Sequence, residues 1–393
     1  MRIGIDARWI TKEPSGIGQY TIQLIKHLIL HDSQNEYFLF FSRREIEHRV
    51  SQEFSIGEKK NFHVVSFPYS VFSLRSQIFL PLKLRFLKID LFHSTNFMTS
   101  LLTFQTRQII TVHDLIPFLF PEFAPRSKKS RYYKIYRFLL KMILKKVDHV
   151  FLDSEHSYRD LIRYFPSMES KASVLTFGID SSFKRGTPSE SKIGIRERFG
   201  IEGPILLYVG RQDPYKNLMN LVKIFHQLLP NKPNAVLILA GPEDVRYPEL
   251  RELIRRLNLE KKVLVTGFLS QEELVRLYQE ATFFLLPSLY EGFGLPILEA
   301  FACGVPVIAS KVASIPEVVG EAGVLLDPQN EGAWVDAISN LLKCKEEREF
   351  LIQKGFEQLK NFSWDKAVDQ VLKNYADIYE NPKIKYQKSC RTM

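Results

Sequence analysis

"ATFFLLPSLYEGFGLPILEAFACGVPVIAS" runs from Ala281 to Ser310. It opens on a short apolar run rich in aromatic and aliphatic side chains. Such a run predicts a strand buried on both faces, here ending near Pro287. The loop "LYEGFG" follows, and Pro296 suits the first turn of the next helix. "GVPVIAS" then reads as another strand. A strand, a helix and a second strand in this order form the crossover unit of a parallel sheet.

The same alternation extends in both directions. Upstream, "RIGID", "YFLFF", "FHVVSF", "DLFHS", "QIITV", "DHVFLDS" and "SVLTF" read as strands, and helical patterns such as "GQYTIQLIKHLIL" from Gly18 lie between several of them. Downstream, "PILLYVG", "NAVLILAG", "KVLVTGF" and "AGVLLD" join the two strands of the opening stretch. This predicts an α/β chain of two doubly wound, Rossmann-like domains, facing each other across a cleft. The polar, non-periodic stretch from Ser181 to Gly194 is the expected linker. The expected domains are 1–185 and 195–362, with a C-terminal helix over 363–382 returning toward the first domain. The tail after Pro382 is basic and polar and is expected to be loose.

Composition narrows the function classes. The chain has 393 residues, enough for two cores, and is 45% hydrophobic and 25% charged, as a globular protein is. Cys303, Cys344 and Cys390 are far apart, which argues against a zinc ribbon or a disulfide framework and fits a reducing compartment. Neither a signal peptide nor an apolar stretch long enough for a membrane span is visible. Residues 1–200 hold 31 Lys and Arg against 19 Asp and Glu, a net +12. The segment 126–146 concentrates this charge, with nine Lys and Arg, no acid, and apolar residues at helical spacing. It reads equally as an amphipathic helix for an anionic membrane surface or as a solvated face over a core stripe. No nucleic-acid recognition motif accompanies the charge.

Four stretches can carry chemistry, because open α/β sheets bind ligands beyond the carboxyl ends of their strands. In "YVGRQDPYKN", Arg211 and Lys216 follow a strand end and flank a helix start, an arrangement that suits a diphosphate. In the opening stretch, Gly292 and Gly294 allow close backbone approach, and the N–H groups from Phe293 to Leu295 would point at a phosphate. Glu299, one turn into the helix, can accept from vicinal hydroxyls such as those of a ribose. Glu291, on the loop, can reach another hydroxyl-rich group. A helix start decorated with acids for dipole reasons explains Glu299 in part, but not Glu291 or the glycines. In "TVHDLIPFLFPE", His113 stands at a strand end, with Asp114 expected to orient it, and the alternative is a hydrogen-bonded structural histidine. His93 is a weaker candidate of the same kind. Near the N-terminus, "GIGQYT" fails the dinucleotide fingerprint because Thr21 stands where a small glycine is wanted. Gly16 and Gly18 are therefore expected on a flexible loop over the cleft. No Asp-x-Asp and no metal-ligand spacing occurs, so cations and helix dipoles must neutralise a bound diphosphate.

Taken in order, "GR…KN", "LAGPE", "TGFLSQEEL", the opening stretch and "IPEVVGEAGVLLDP" resemble the retaining glycosyltransferases of family 4, also called glycosyl transferases group 1, of the GT-B fold. "IGIDAR…SGIGQYT" and "TVHDLIPFLFPE" look most like bacterial members that build polysaccharides such as lipopolysaccharide, many of them mannosyltransferases. Glu291 and Glu299 match the family's Glu-x7-Glu motif. The resemblance implies that Glu299 holds the ribose, Glu291 the transferred sugar, Arg211 and Lys216 the diphosphate, and His113 the sugar from the N-terminal domain. It puts the backbone of Phe268 near the base, and Gly16 and Gly18 between donor and acceptor. It further implies transfer of a hexose from a nucleoside diphosphate sugar to a glycan or lipid-linked acceptor, without a tightly bound cofactor or metal. GDP-mannose is the favoured donor, with a UDP-sugar as the other option. The expected place is the cytoplasm, with peripheral contact to the inner face of the membrane. A sugar phosphorylase or sugar-phosphate synthase of the same fold and a non-catalytic sugar-nucleotide scaffold are the alternatives. One departure from the family stands at Phe177, where many relatives carry Asn, so no donor contact is assigned there.

Overall fold

A computed structural model describes residues 1–13, 15–120, 133–186 and 194–380. Residues 126–132 of the basic segment, 187–193 of the expected linker, the tail beyond Pro382 and Cys390 lie outside the described residues.

The first sheet contains β1 (Arg2–Asp6), β2 (Glu36–Phe41), β3 (Phe62–Ser66), β4 (Leu91–Ser94), β5 (Arg107–Val112), β6 (His149–Leu152) and β7 (Ala172–Val174). Their order is β3-β2-β1-β4-β5-β6-β7, and the pairs are parallel. The second contains β8 (Ile205–Val209), β9 (Val236–Ala240), β10 (Val263–Val265), β11 (Phe283–Leu286), β12 (Val307–Ser310) and β13 (Gly323–Leu326). Its order is β10-β9-β8-β11-β12-β13, again parallel. Inner strands are buried almost throughout, and β4, β9, β11 and β12 are covered at every residue. Each Leu, Ile or Val so enclosed contributes about 1.5–3 kcal/mol, which is why these runs carry no polar alternation.

Each sheet grows one way and then reverses, between β1 and β4 in the first and between β8 and β11 in the second. Loops leaving adjacent strands at such a reversal part to opposite faces and open a crevice at the strand ends. Arg211 and Lys216 follow β8, and Glu291 follows β11, so these side chains flank the reversal of the second sheet.

Among the described residues, one compact unit takes 1–118, 133–177 and 364–380, and the other takes 119–120 and 178–363. Residues 178–185, expected with the N-terminal domain, therefore go with the second unit. Their contacts explain it: Gln271 Nε2 donates to Ser182 Oγ at 2.7 Å, Gln279 Nε2 donates to the Lys184 carbonyl at 2.9 Å, and Phe183 meets the Tyr278 ring edge-on. The helix Trp364–Glu380 packs within the first unit. Trp364 stacks on Phe177 and His27, and Gln370 Nε2 donates to the Val174 carbonyl at 2.9 Å.

Candidate active site

At the reversal of the second sheet, Lys216 and Glu291 form the central contact. Lys216 Nζ lies 2.7 and 2.8 Å from the two carboxylate oxygens of Glu291. Both side chains are largely covered, so water screens this pair less than a surface pair. Ser288 Oγ donates to Glu291 Oε1 at 2.6 Å. Ser314 Oγ lies 2.9 Å from the carbonyl oxygens of both Glu291 and Phe293, pinning the loop backbone. Lys216 ends a short 3-10 turn, Pro214–Lys216, and Asn217 follows in the left-handed region at φ 59°. Asn217 Nδ2 donates to the carbonyls of Pro287 and Pro328, both at 3.1 Å, which ties the β8 loop to the end of β11.

Arg211 pairs with Asp213, with Nε 3.0 Å from Oδ2 and Nη2 donating to Oδ1 at 3.1 Å. Its side chain keeps 62% of its surface exposed, so this pair contributes little to stability. Arg211→Ala is therefore expected to leave the melting temperature within a degree or so and to weaken an anionic ligand by roughly tenfold or more, as loss of one charge-assisted contact does. Thermal melts alongside ligand titration check both halves.

The glycine at 294 meets a backbone demand. Its φ is 109°, and a Cβ there would lie 3.0 Å from Ile297 Cδ1. The helix Leu295–Ala302 starts directly after it, with Pro296 in its first turn. Phe293 is buried against Phe362, so only its backbone can serve a ligand. Glu299 accepts from Tyr278 Oη at 2.8 Å. Burial pushes the Glu299 carboxyl up to about 7, and the Tyr278 bond partly opposes that rise. Gly241 meets a second backbone demand, since a Cβ there would fall 2.1 Å from the Gly210 carbonyl oxygen. Gly241 also bridges to Gly267, which brings "VGR", "AGP" and "TGF" together at the strand ends. Phe268 beside them is half exposed.

In the first unit His113 stands at the end of β5, but Asp153 orients it rather than Asp114. His113 Nδ1 is 2.7 Å from Asp153 Oδ2, and Nε2 is 2.9 Å from the Thr95 carbonyl oxygen. Asp114 instead accepts from the Ile116 N–H. Burial works against a charge on His113, yet Asp153 and the Thr95 carbonyl outweigh it and hold the imidazole above its usual range. Carboxylate and carbonyl both accept, so both ring nitrogens carry protons in this arrangement. His93 is buried between Tyr375 Oη at 2.6 Å and Thr111 Oγ1 at 2.9 Å, and burial pushes it down to about 3. It is a neutral core histidine. Gly16 and Gly18, expected on a flexible loop, instead form the first turn of the helix Gly16–His31, whose cap Ser15 accepts from the Gly18 N–H at 3.1 Å. Phe177 is core, between Tyr20 and Trp364.

Sequence reasoning missed Ser288, Ser314, Asn217, Tyr278 and Asp153, whose partners are set by the fold rather than by spacing. It also missed a group of three potential metal donors, His27, His31 and Asp365, whose ligand atoms lie within 4.8 Å of one another. The i, i+4 histidines were the available signal; Asp365 comes from a helix 334 residues further on.

Residues 192–358 match Glycosyl transferases group 1, and residues 14–183 match Glycosyltransferase Family 4. The chain is 30% identical over 378 residues to O-antigen chain mannosyltransferase B of Escherichia coli, covering 92% of this chain and 96% of that one. The chain belongs to the family 4 glycosyltransferases. O-antigen chain mannosyltransferase RfbU of Salmonella typhimurium is 31% identical to this glycosyltransferase over 237 residues, 60% of each chain. A D-inositol 3-phosphate glycosyltransferase of Corynebacterium efficiens is 30% identical over 246 residues, 60% of this chain and 58% of that one. Among solved structures, the sucrose-phosphate synthase of Thermosynechococcus elongatus superposes with a TM-score of 0.75 at 21% identity, covering 96% of this chain and 99% of that one. HepE of Anabaena, solved in complex with UDP-glucose, superposes with a TM-score of 0.75 at 18% identity, covering 96% and 100%. These two likenesses bear on the fold, which is GT-B.

Proposed function

We propose that this glycosyltransferase moves a hexose, with mannose favoured, from a nucleoside diphosphate sugar to a glycan or lipid-linked acceptor in cell-surface polysaccharide synthesis. The observation that carries the reading is the covered Lys216–Glu291 pair at the reversal of the second sheet, with Glu299 about one turn into the helix that follows. A cation and two acids at these strand ends suit a diphosphate bracketed by two hydroxyl-rich groups. Mannose is favoured because two relatives are named O-antigen chain mannosyltransferases. GDP-mannose is accordingly the favoured donor, ahead of a UDP-sugar.

In this reading Glu299 accepts from the ribose hydroxyls and the backbone at Phe268 borders the base. The N–H groups following Gly292, at 293–295, face the diphosphate. Arg211 and Lys216 neutralise the oxygen charge that grows as the bond from the sugar C1 to the β-phosphate breaks, without a metal. Such preorganised charge usually lowers an enzyme's barrier more than any other single effect. Glu291 holds the sugar, and the Nε2–H of His113 turns to it from the Thr95 carbonyl. Gly16 and Gly18 border donor and acceptor. The acceptor oxygen bonds to C1 on the face the phosphate leaves, the departing phosphate oxygen takes the acceptor proton, and configuration is retained. We place the reaction in the cytoplasm, at the inner face of the membrane, in keeping with the free thiols of Cys303 and Cys344.

The test is slow hydrolysis of a panel of UDP-, GDP- and ADP-sugars by the purified protein, with and without a chelator. Release of GDP from GDP-mannose, unchanged by the chelator and yielding α-mannose first by NMR, is expected. Turnover confined to a free sugar phosphate as acceptor or substrate would instead favour a synthase or phosphorylase.

A further inference from the structure

The helix Leu74–Phe86 has an unusual outer face. Ser76, Leu80 and Leu84 point inward, the leucines into the cluster of Phe38, Phe40, Val65, Phe67, Ile89 and Phe92. The opposite side would ordinarily be polar. Here it is Leu74, Ile78, Phe79, Leu82 and Phe86, with Arg75 and Arg85 between them. Leu74 is 82% exposed and Phe86 79%. A helix apolar on both faces is normally buried on both.

The outer face is held firmly in place. Pro81 has no N–H for the Gln77 carbonyl one turn back, and Ser100 Oγ donates to that carbonyl instead, at 3.1 Å. Gln77 Nε2 donates to the Thr99 carbonyl, and its Oε1 accepts from the Leu101 N–H. The loop so bound presents Phe104, 80% exposed, with Lys146 above its ring. Phe97 of the same loop lies against Phe72 on one side and Tyr136 on the other. Phe97 is buried between them, and the helix Tyr133–Lys146, packed on it through Tyr136, exposes Ile135, Phe138 and Met142 and the cations Lys134, Lys141 and Lys145.

From residue 59 to 113 the chain carries seven Lys and Arg and a single acid, Asp90, which accepts from the Arg2 N–H. Apolar side chains interleaved with cations, with no acid on either helix face, match the boundary between acyl chains and anionic headgroups.

We propose that Leu74–Phe86 is the element by which this protein docks on an anionic bilayer, with Leu74, Ile78, Leu82 and Phe86 entering the interface and Arg75 and Arg85 at the headgroups. The helix Tyr133–Lys146 supplies flanking charge. The inference deepens the membrane side of the proposed function, and it rests on that reading only for the purpose of docking.

The experiment is co-sedimentation of the full chain with phosphatidylcholine vesicles, with and without 30% phosphatidylglycerol, at low and high salt. Wild type is expected to bind the anionic vesicles and to release with salt. The variant Ile78→Glu/Leu82→Glu replaces only exposed side chains, so its melting temperature and its hydrolysis of the donor in solution should match wild type, while vesicle binding falls at least tenfold. Arg75→Glu/Arg85→Glu should lose the preference for anionic lipid. Unchanged sedimentation of Ile78→Glu/Leu82→Glu overturns the proposal. So does loss only on Lys134→Glu/Lys141→Glu, or a wild-type dimer that the Ile78 and Leu82 changes dissolve.

Discussion

Lys216→Met is expected to lower kcat for transfer by about 10²–10³, the usual effect of removing one preorganised group from a developing oxyanion. The geometry gives Lys216 no easy substitute. Arg211 is its neighbour in sequence, but that side chain is turned to Asp213 and mostly in water. The change also leaves Glu291, 8% exposed, without its cation. An acid so covered and unpaired is destabilising, so the single variant should also melt lower. The double variant Lys216→Met/Glu291→Gln separates the two effects. It should recover most of the lost thermal stability, because no unpaired charge remains, and none of the lost kcat. If kcat returned together with stability, Lys216 would be a structural cation and the diphosphate assignment would fail.

Glu299→Gln is expected to weaken the nucleoside diphosphate on the order of 100-fold, with kcat little changed, since hydrogen bonds to a charged group are worth about 1.5–3 kcal/mol each. The pH dependence is a sharper readout. Because burial holds Glu299 at about 7, the carboxylate that accepts from the ribose is depleted as pH falls through that value. Donor affinity should therefore decline below about pH 7, approaching tenfold per unit, and Glu299→Gln should abolish this limb. Tyr278→Phe removes the bond that lowers the Glu299 pKa, so the same limb should move to higher pH. Stability has the opposite sign. A carboxyl raised in the folded state adds stability below its unfolded pKa and loses it as pH rises through about 7. Glu299→Gln should thus gain melting temperature relative to wild type between about pH 4.5 and 7. A flat difference across that window would contradict the burial assigned to this group.

The thirteen strands among the described residues were legible because the inner parallel strands, covered on both faces, are nearly continuous apolar runs, and the half-covered edge strands still overlap short apolar runs. The strand ends followed, and with them Arg211, Lys216, Glu291 and Glu299. What each of these touches was not legible. Lys216 meets Glu291 across 75 residues, and His113 takes Asp153 across 40 in place of the adjacent Asp114. Adjacent residues at a strand end point to opposite sides of the sheet, so the partner of a strand-end histidine comes from the next strand's end. Gly16 and Gly18 looked like loop residues because glycine is a poor helix former, but the Ser15 cap starts the helix before them. The sequence also concentrated attention on the charge of 126–146. The outward face of Leu74–Phe86 was invisible there, because a pattern apolar on both sides has no periodicity to reveal which side is covered.

The most direct test of the donor site is calorimetric titration of GDP and UDP into the wild-type protein and into Lys216→Met and Glu299→Gln. The account predicts that one nucleoside diphosphate binds wild type at one site per chain, and that each substitution weakens it while the fold is retained. Binding of equal strength to all three proteins, or of neither nucleotide to wild type, would contradict it.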